Sequence, residues 1–302
     1  MRSNNALAVP TLGSPELLGS LVESINHQTY DEFDFVIVVS KKGDIKSLKS
    51  YLFDISTKNI EFIIQKEEGI IDAMNTVFSL NYKNVILTDD DAMPLPDYIY
   101  NSLNSLDINS DTGCVFGRVN GKFPDSTFNK ISRFLNSYCS VKSLLKGKAN
   151  RYFNLAGLPV GNVLPYPVKK NVIDYFPIGV SMSWKQSEIR GLNIPLYSRR
   201  GILFETYLSM IFYLRGLNTM FVKNISVKHL EKESLSRGSS SIYKRISDIY
   251  TFPLMLNKLG FEIDTNKLRR ILPLLGRFKV DGQKLRKSVE ETILEIEKNG
   301  QR

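Results

Sequence analysis

Three consecutive carboxylates, Asp89-Asp90-Asp91, stand at the end of the short apolar run Val85-Ile86-Leu87. Side by side they repel one another, and a bound cation would relieve that repulsion. In an extended chain residues two apart face the same side, so Asp89 and Asp91 converge while Asp90 points away. Oxygen ligands without cysteine suit a hard ion, Mg²⁺ or Mn²⁺. A solvated Asp-rich turn, or a helix N-terminus, is the other reading of the same residues. Two further groups need their surroundings to acquire a role. Glu205 opens an apolar helical stretch, where a first-turn acid is favoured by the helix dipole alone. His229 ends an apolar run after Val227. His27 reads as a helix-end residue without chemistry.

The elements that must position these groups follow from periodicity. Val85–Leu87 reads as a strand buried on both faces, as in a parallel sheet covered by helices. Similar runs occur at Ala6–Pro10, Phe35–Val39 and Ile60–Ile64. Between them lie helical stretches. One starts at Ser14-Pro15-Glu16 and carries Leu17, Leu18, Leu21 and Ile25; a short one carries Leu48 and Leu52; the third runs from Gly69 to Leu80. Strands alternating with helices predict a parallel, doubly wound α/β sheet, with ligands at the carboxyl ends of its strands. After Tyr98 the pattern loosens. Strands are predicted at Cys114–Val119, Ile178–Trp184 and Thr219–His229, and helices at Lys130–Leu145 and Glu205–Leu214. Asn154–Pro167 reads as loop. Beyond residue 230 the chain turns helical: Ile242–Leu259, Lys267–Leu275 broken by Pro273, and Lys284–Lys298.

The chain has 302 residues, enough for one large α/β domain or one and a half ordinary ones. Two cysteines make no disulfide scaffold, and a reducing compartment is expected. The first strand starts close to the N-terminus and no apolar run reaches membrane-spanning length, so a cytoplasmic protein is expected. The net charge is +9. From Arg118 to Lys170 ten basic residues face one acid, Asp125, an excess as large as that of the whole chain. Such a surface implies an anionic partner: nucleic acid, phosphates or an anionic membrane face. Nucleic acid is disfavoured, because no recognisable binding module accompanies the basic run.

Several stretches, in order, resemble the family-2 glycosyltransferases, which have the GT-A fold. They are Val9-Pro10-Thr11 with Pro15-Glu16-Leu17-Leu18, then His27-Gln28-Thr29-Tyr30, then Gly69-Ile70-Ile71-Asp72-Ala73-Met74-Asn75. The fourth is Asp89-Asp90-Asp91 with Pro96-Asp97-Tyr98, similar to the family's Asp-x-Asp signature. The resemblance covers about residues 6 to 230. It implies a Rossmann-like, mostly parallel sheet flanked by helices over 1–230, with a nucleotide-binding half at 1–100 and an acceptor half at 101–230. A helical extension fills 231–302.

The resemblance also implies roles. A metal-dependent, inverting transfer from a nucleotide sugar would place Mn²⁺ or Mg²⁺ on Asp91, with Asp89 acting directly or through water and ribose, and His229 as third ligand. Pro10, Thr11, Ser40, Asp72, Asp89 and Gly179 would line the donor site. Glu205 falls on the position of the catalytic base, with Phe204 where the family's preceding acid stands. Trp184 is read as core in preference to sugar stacking. One departure concerns the donor's base: the family's second strand ends in an acid that binds it, whereas here it ends Val39-Ser40-Lys41-Lys42-Gly43-Asp44. Ser40 is the substitute, or Asp44 if the loop is rearranged, and uridine- and guanosine-linked donors are both open.

The acceptor implied by the basic segment is a glycan or a lipid-phosphate-linked sugar, at an anionic membrane surface. Leu268, Ile271, Leu272 and Leu275 among Lys267, Arg269, Arg270 and Arg277 form either an interfacial amphipathic helix or a packed one. Leu285, Val289, Ile293 and Ile296 read as a core or homodimer stripe. Two other classes stand beside the transferase. One is a binding protein on a degenerate scaffold of this fold, using its basic surface. The other is a nucleotidyltransferase, for which a Gly-rich phosphate loop is missing.

Overall fold

The computed structural model describes residues 3–120, 172–173, 179–194, 204–230, 253–275 and 282–299. The helix predicted at 130–145, the loop at 154–167, the first part of the helix at 242–259 and the basic residues after Arg118 lie outside these. The chain forms two compact units. One comprises 1–123, 164–194 and 211–232; the other comprises 124–163, 195–210 and 233–302.

The first unit is built on a sheet. β1 (Asn5–Thr11), β2 (Asp34–Val39), β3 (Ile60–Ile64) and β4 (Asn84–Leu87) alternate with α1 (Pro15–Asn26), α2 (Ile45–Ile55) and α3 (Ile70–Phe78). These four strands are parallel, in the order β3-β2-β1-β4, as the apolar runs predict. Phe35–Val39 and Val85–Leu87 are buried on both faces, which is why they are apolar without alternation. Burial of each such side chain contributes about 1.5–3 kcal/mol. On one face, Leu18, Leu21 and Ile25 of α1 join Leu7, Val9, Phe35 and Ile37 in a single cluster. Elsewhere Trp184 meets Phe78 of α3 edge-to-face at 5.7 Å and donates from its indole N–H to Gln186. Trp184 is therefore core.

The second half of the sheet departs from a pure parallel pattern. It comprises β5 (Ala92–Pro94), β6 (Thr112–Asn120), β7 (Val172–Ile173), β8 (Met182–Lys185) and β9 (Asn218–His229). β8 lies antiparallel between β4 and β6, and β9 runs parallel to β6 and antiparallel to β5 and β7. The loosening expected after Tyr98 is corrected there: α4 (Tyr98–Ile108) is a full helix with Tyr98, Ile99, Leu103 and Leu106 buried. Its Asn and Ser residues, poor helix formers, obscured the period. Tertiary packing overrides that propensity.

The helix α5 (Phe204–Leu214) follows the predicted limits. In the second unit α6 (Thr265–Leu275) packs on α7 (Gly282–Asn299). Pro273 does not break α6, contrary to expectation; it falls in the last turn, where its missing N–H costs a single intrahelical bond. Leu268 is fully buried, as are Val289, Ile293 and Ile296. Arg269 forks onto Glu297 at 2.6 and 2.8 Å. Of the two readings of the 267–275 stripe, packing therefore describes Leu268. No helix among the described residues is long and apolar enough to cross a membrane.

Candidate metal centre

The carboxyl ends of β1, β2, β3 and β4 lie along one edge of the sheet, and the acid run sits at the end of β4. Three contacts fix that end. Tyr98, wholly buried, donates its hydroxyl to Leu87 O at 2.9 Å. Thr88 donates to Val180 O at 3.0 Å, docking the Gly179–Ser181 turn beside the run. Ala92 N–H closes back on Asp89 O at 3.2 Å, so Asp89 to Ala92 is a tight turn.

That turn leads into β5, and β5 brings in the histidine. Ala92 pairs with His229, and Leu230 N–H donates to Asp91 O at 2.8 Å. As a result His229 Nε2 lies 3.4 Å from Asp91 Oδ1, with both side chains mostly shielded. Ligand atoms of Asp89, Asp91 and His229 all fall within 4.8 Å of one another. Two carboxylate oxygens and an imidazole nitrogen, partly shielded from water, form a donor set for a divalent cation. The helix N-terminus alternative is excluded, because α4 starts at Tyr98. A turn is present, but a residue from a distant strand closes it.

Asp90 turns away from its neighbours, but not to solvent. Thr11 Oγ1 donates to Asp90 Oδ2 at 2.5 Å, and the Gly13 N–H donates to the same hydroxyl at 2.9 Å. Burial raises the Asp90 carboxyl above its ordinary range; the Thr11 bond opposes this and the charge of Asp91 adds to it. Thr11 thus ties the end of β1 to the acid turn. Pro10 precedes it in β1.

At the ends of β2 and β3 the contacts are ones that sequence reasoning missed. Ser40 is buried and donates its hydroxyl to Glu68 Oε2 at 3.0 Å. Asp44 does not reach in. It caps α2, accepting from the Lys46 and Ser47 N–H groups and from the Ser47 hydroxyl. The Ser47 bonds hold its carboxyl below the ordinary range. Asp72, in the first turn of α3, accepts from the Glu67 N–H at 2.9 Å. Gly179 is buried in the turn beside Thr88. Glu205 stands in the first turn of α5, among residues of the second unit. His27 is the C-cap of α1, its Nδ1 at 2.7 Å from Glu23 O.

Comparison with known proteins extends the geometry. The family model described as glycosyl transferase family 2 matches residues 6–162. That match includes the acid run and ends before Glu205 and His229. None of the curated proteins matches the sequence. Among solved structures, the mannosyltransferase PcManGT from Pyrobaculum calidifontis, in complex with GDP-Man and Mn²⁺, is similar with a TM-score of 0.55 and 14% identity, over 97% of this chain and 74% of that one. TarS 1–349 from S. aureus in complex with UDP-GlcNAc gives 0.59 and 14%, over 98% and 82%. Glucosyl-3-phosphoglycerate synthase from Mycobacterium tuberculosis, in complex with Mn²⁺, UDP and phosphoglyceric acid, gives 0.53 and 11%, over 83% and 78%. At these identities the likeness is one of fold, a mostly parallel sheet flanked by helices of the GT-A type.

Proposed function

Because the chain belongs to glycosyl transferase family 2, we propose that it moves a sugar, with inversion, from a nucleoside-diphosphate donor to an acceptor hydroxyl. The observation that carries this is the convergence of Asp89, Asp91 and His229 at the carboxyl edge of the sheet. These three would hold Mn²⁺ or Mg²⁺. Such an ion, when bound, would supply positive charge against the charge that develops on the departing diphosphate. Ionised carboxylates and a neutral imidazole are the forms that offer lone pairs to such an ion.

Donor contacts are assigned to Pro10, Thr11, Ser40, Asp72 and Gly179 around that edge, with Asp89 also toward the ribose. Glu205 is the general base. Its carboxylate takes the proton of the acceptor hydroxyl as the oxygen attacks the anomeric carbon from the face opposite the leaving diphosphate. The basic residues from Arg118 to Lys170 support an acceptor that carries phosphate, such as a lipid-phosphate-linked sugar, and attachment to an anionic membrane surface. Structurally similar proteins were solved with GDP-Man and with UDP-GlcNAc, so both bases belong in the first assay.

Turnover of uridine- and guanosine-diphosphate sugars tests the reading. Nucleoside diphosphate should be released with Mn²⁺ and not after chelation. Glu205→Gln should lower turnover at least about 10²-fold while leaving nucleotide affinity unchanged. Metal-independent release, or full turnover in Glu205→Gln, would contradict it.

A further inference from the structure

We propose that Glu68 is the group that reads the base of the donor, and that it selects bases presenting a ring N–H. This rests on the reading of the acid turn as the diphosphate end of a nucleotide site. From β4 the strand order runs through β1 to β2, two spacings or about 10 Å along the edge. A nucleotide with its diphosphate at β4 therefore lays its base toward the ends of β2 and β3. Lys41 and Lys42, at the end of β2, are cations. Asp44 is consumed in capping α2. Of the carboxylates near this end, Asp72 is engaged by the Glu67 N–H, whereas Glu68 is fixed to the buried Ser40 hydroxyl at 3.0 Å while the residue itself is solvent-exposed and reachable.

The loop that presents Glu68 is braced on both sides. Gln65, buried, donates its amide to Glu67 O at 2.6 Å and to Gly69 O at 3.4 Å. Asp72 takes the Glu67 N–H. Gly69 turns the chain at φ 106°, a left-handed conformation that other residues adopt only under strain. Two side chains thus hold the two residues flanking Glu68, and Ser40 holds Glu68 itself. Such bracing limits the freedom lost when a ligand binds.

An ionised carboxylate only accepts hydrogen bonds. Uracil offers it the N3–H, and guanine offers N1–H with the adjacent amino group. Cytosine N3 and adenine N1 are lone pairs at the same edge and face the carboxylate unfavourably. GDP and UDP should therefore bind at least about tenfold tighter than ADP and CDP. Whichever of the two binds tighter names the donor's base.

The test is calorimetric titration of the full chain with Mn²⁺ and each of the four nucleoside diphosphates. Glu68→Gln retains an acceptor for Ser40 and gains a donor, so the preference should shrink below about threefold or reverse. Undiminished preference in Glu68→Gln, or equal binding of all four by the unmodified protein, would overturn the assignment and leave the diphosphate site standing. Binding of none of the four would overturn the diphosphate site, and this assignment with it.

Discussion

Asp44 and Asp72 are both acids near helix starts, and their partners separate their duties. Asp44 accepts three hydrogen bonds from the first turn of α2, so its charge stabilises the helix end. Its carboxyl is held below 3.8, first by the Ser47 side-chain bond. A lowered folded-state pKa contributes stability that is complete above the ordinary value and lost as the pH falls through the lowered one. Asp44→Ala should therefore lower the melting temperature at pH 7 by about 2–4 °C. The difference from the unmodified protein should close on titration below pH 3.8. A gap that stayed constant to low pH would show that the cap is not electrostatic. Asp72 instead pins the loop before α3. Ser40 and Glu68 sit 28 residues apart and each looks ordinary alone, so no local pattern in the chain announces their bond. The Asp89–Asp91 spacing was legible because its two-residue period is local; the Thr11 bond that claims Asp90 was not.

At the scale of elements, β9 does two things: it ends in His229, and it pairs with β6 across a shift in register between Phe116 and Arg118. Gly117 lies in that shift. A Cβ there would stand 2.2 Å from Ile225 O and 2.4 Å from its Cγ2. Gly117→Ala should thus destabilise by about 1–3 kcal/mol, read as a lower urea midpoint, and should weaken metal binding by displacing β9. An unchanged midpoint would show that the strands can part without cost. β1 to β4 and the helices between them were readable because parallel strands, buried on both faces, are continuous apolar runs. β5 has only three residues and owes its existence to β9. The antiparallel insertion of β8 between β4 and β6 depends on pairings about a hundred residues apart for β4 and about seventy for β6, for which no short-range signal exists.

Over the whole molecule the governing quantity is the net charge of +9. Each Lys or Arg near an anionic surface adds about 1 kcal/mol, screened within a Debye length of about 8 Å at physiological salt. If the basic segment meets such a surface, the protein should co-sediment with vesicles containing anionic lipid at low ionic strength. It should be released as salt rises, and should ignore vesicles of neutral lipid. Absence from anionic vesicles at low salt would remove the membrane from the account. The C-terminal stripe gives that surface little help through Leu268, which is already spent on packing.

On the proposed function, Asp89, Asp91 and His229 together hold a divalent cation and, through it, a nucleoside diphosphate. This is decided by titration of UDP and GDP into the unmodified protein and into Asp91→Ala, each with and without Mn²⁺. The unmodified protein should bind at least one of the nucleotides in a metal-dependent way and Asp91→Ala neither, with both proteins folded by circular dichroism. Equal affinity in the variant, or binding indifferent to Mn²⁺, would contradict it.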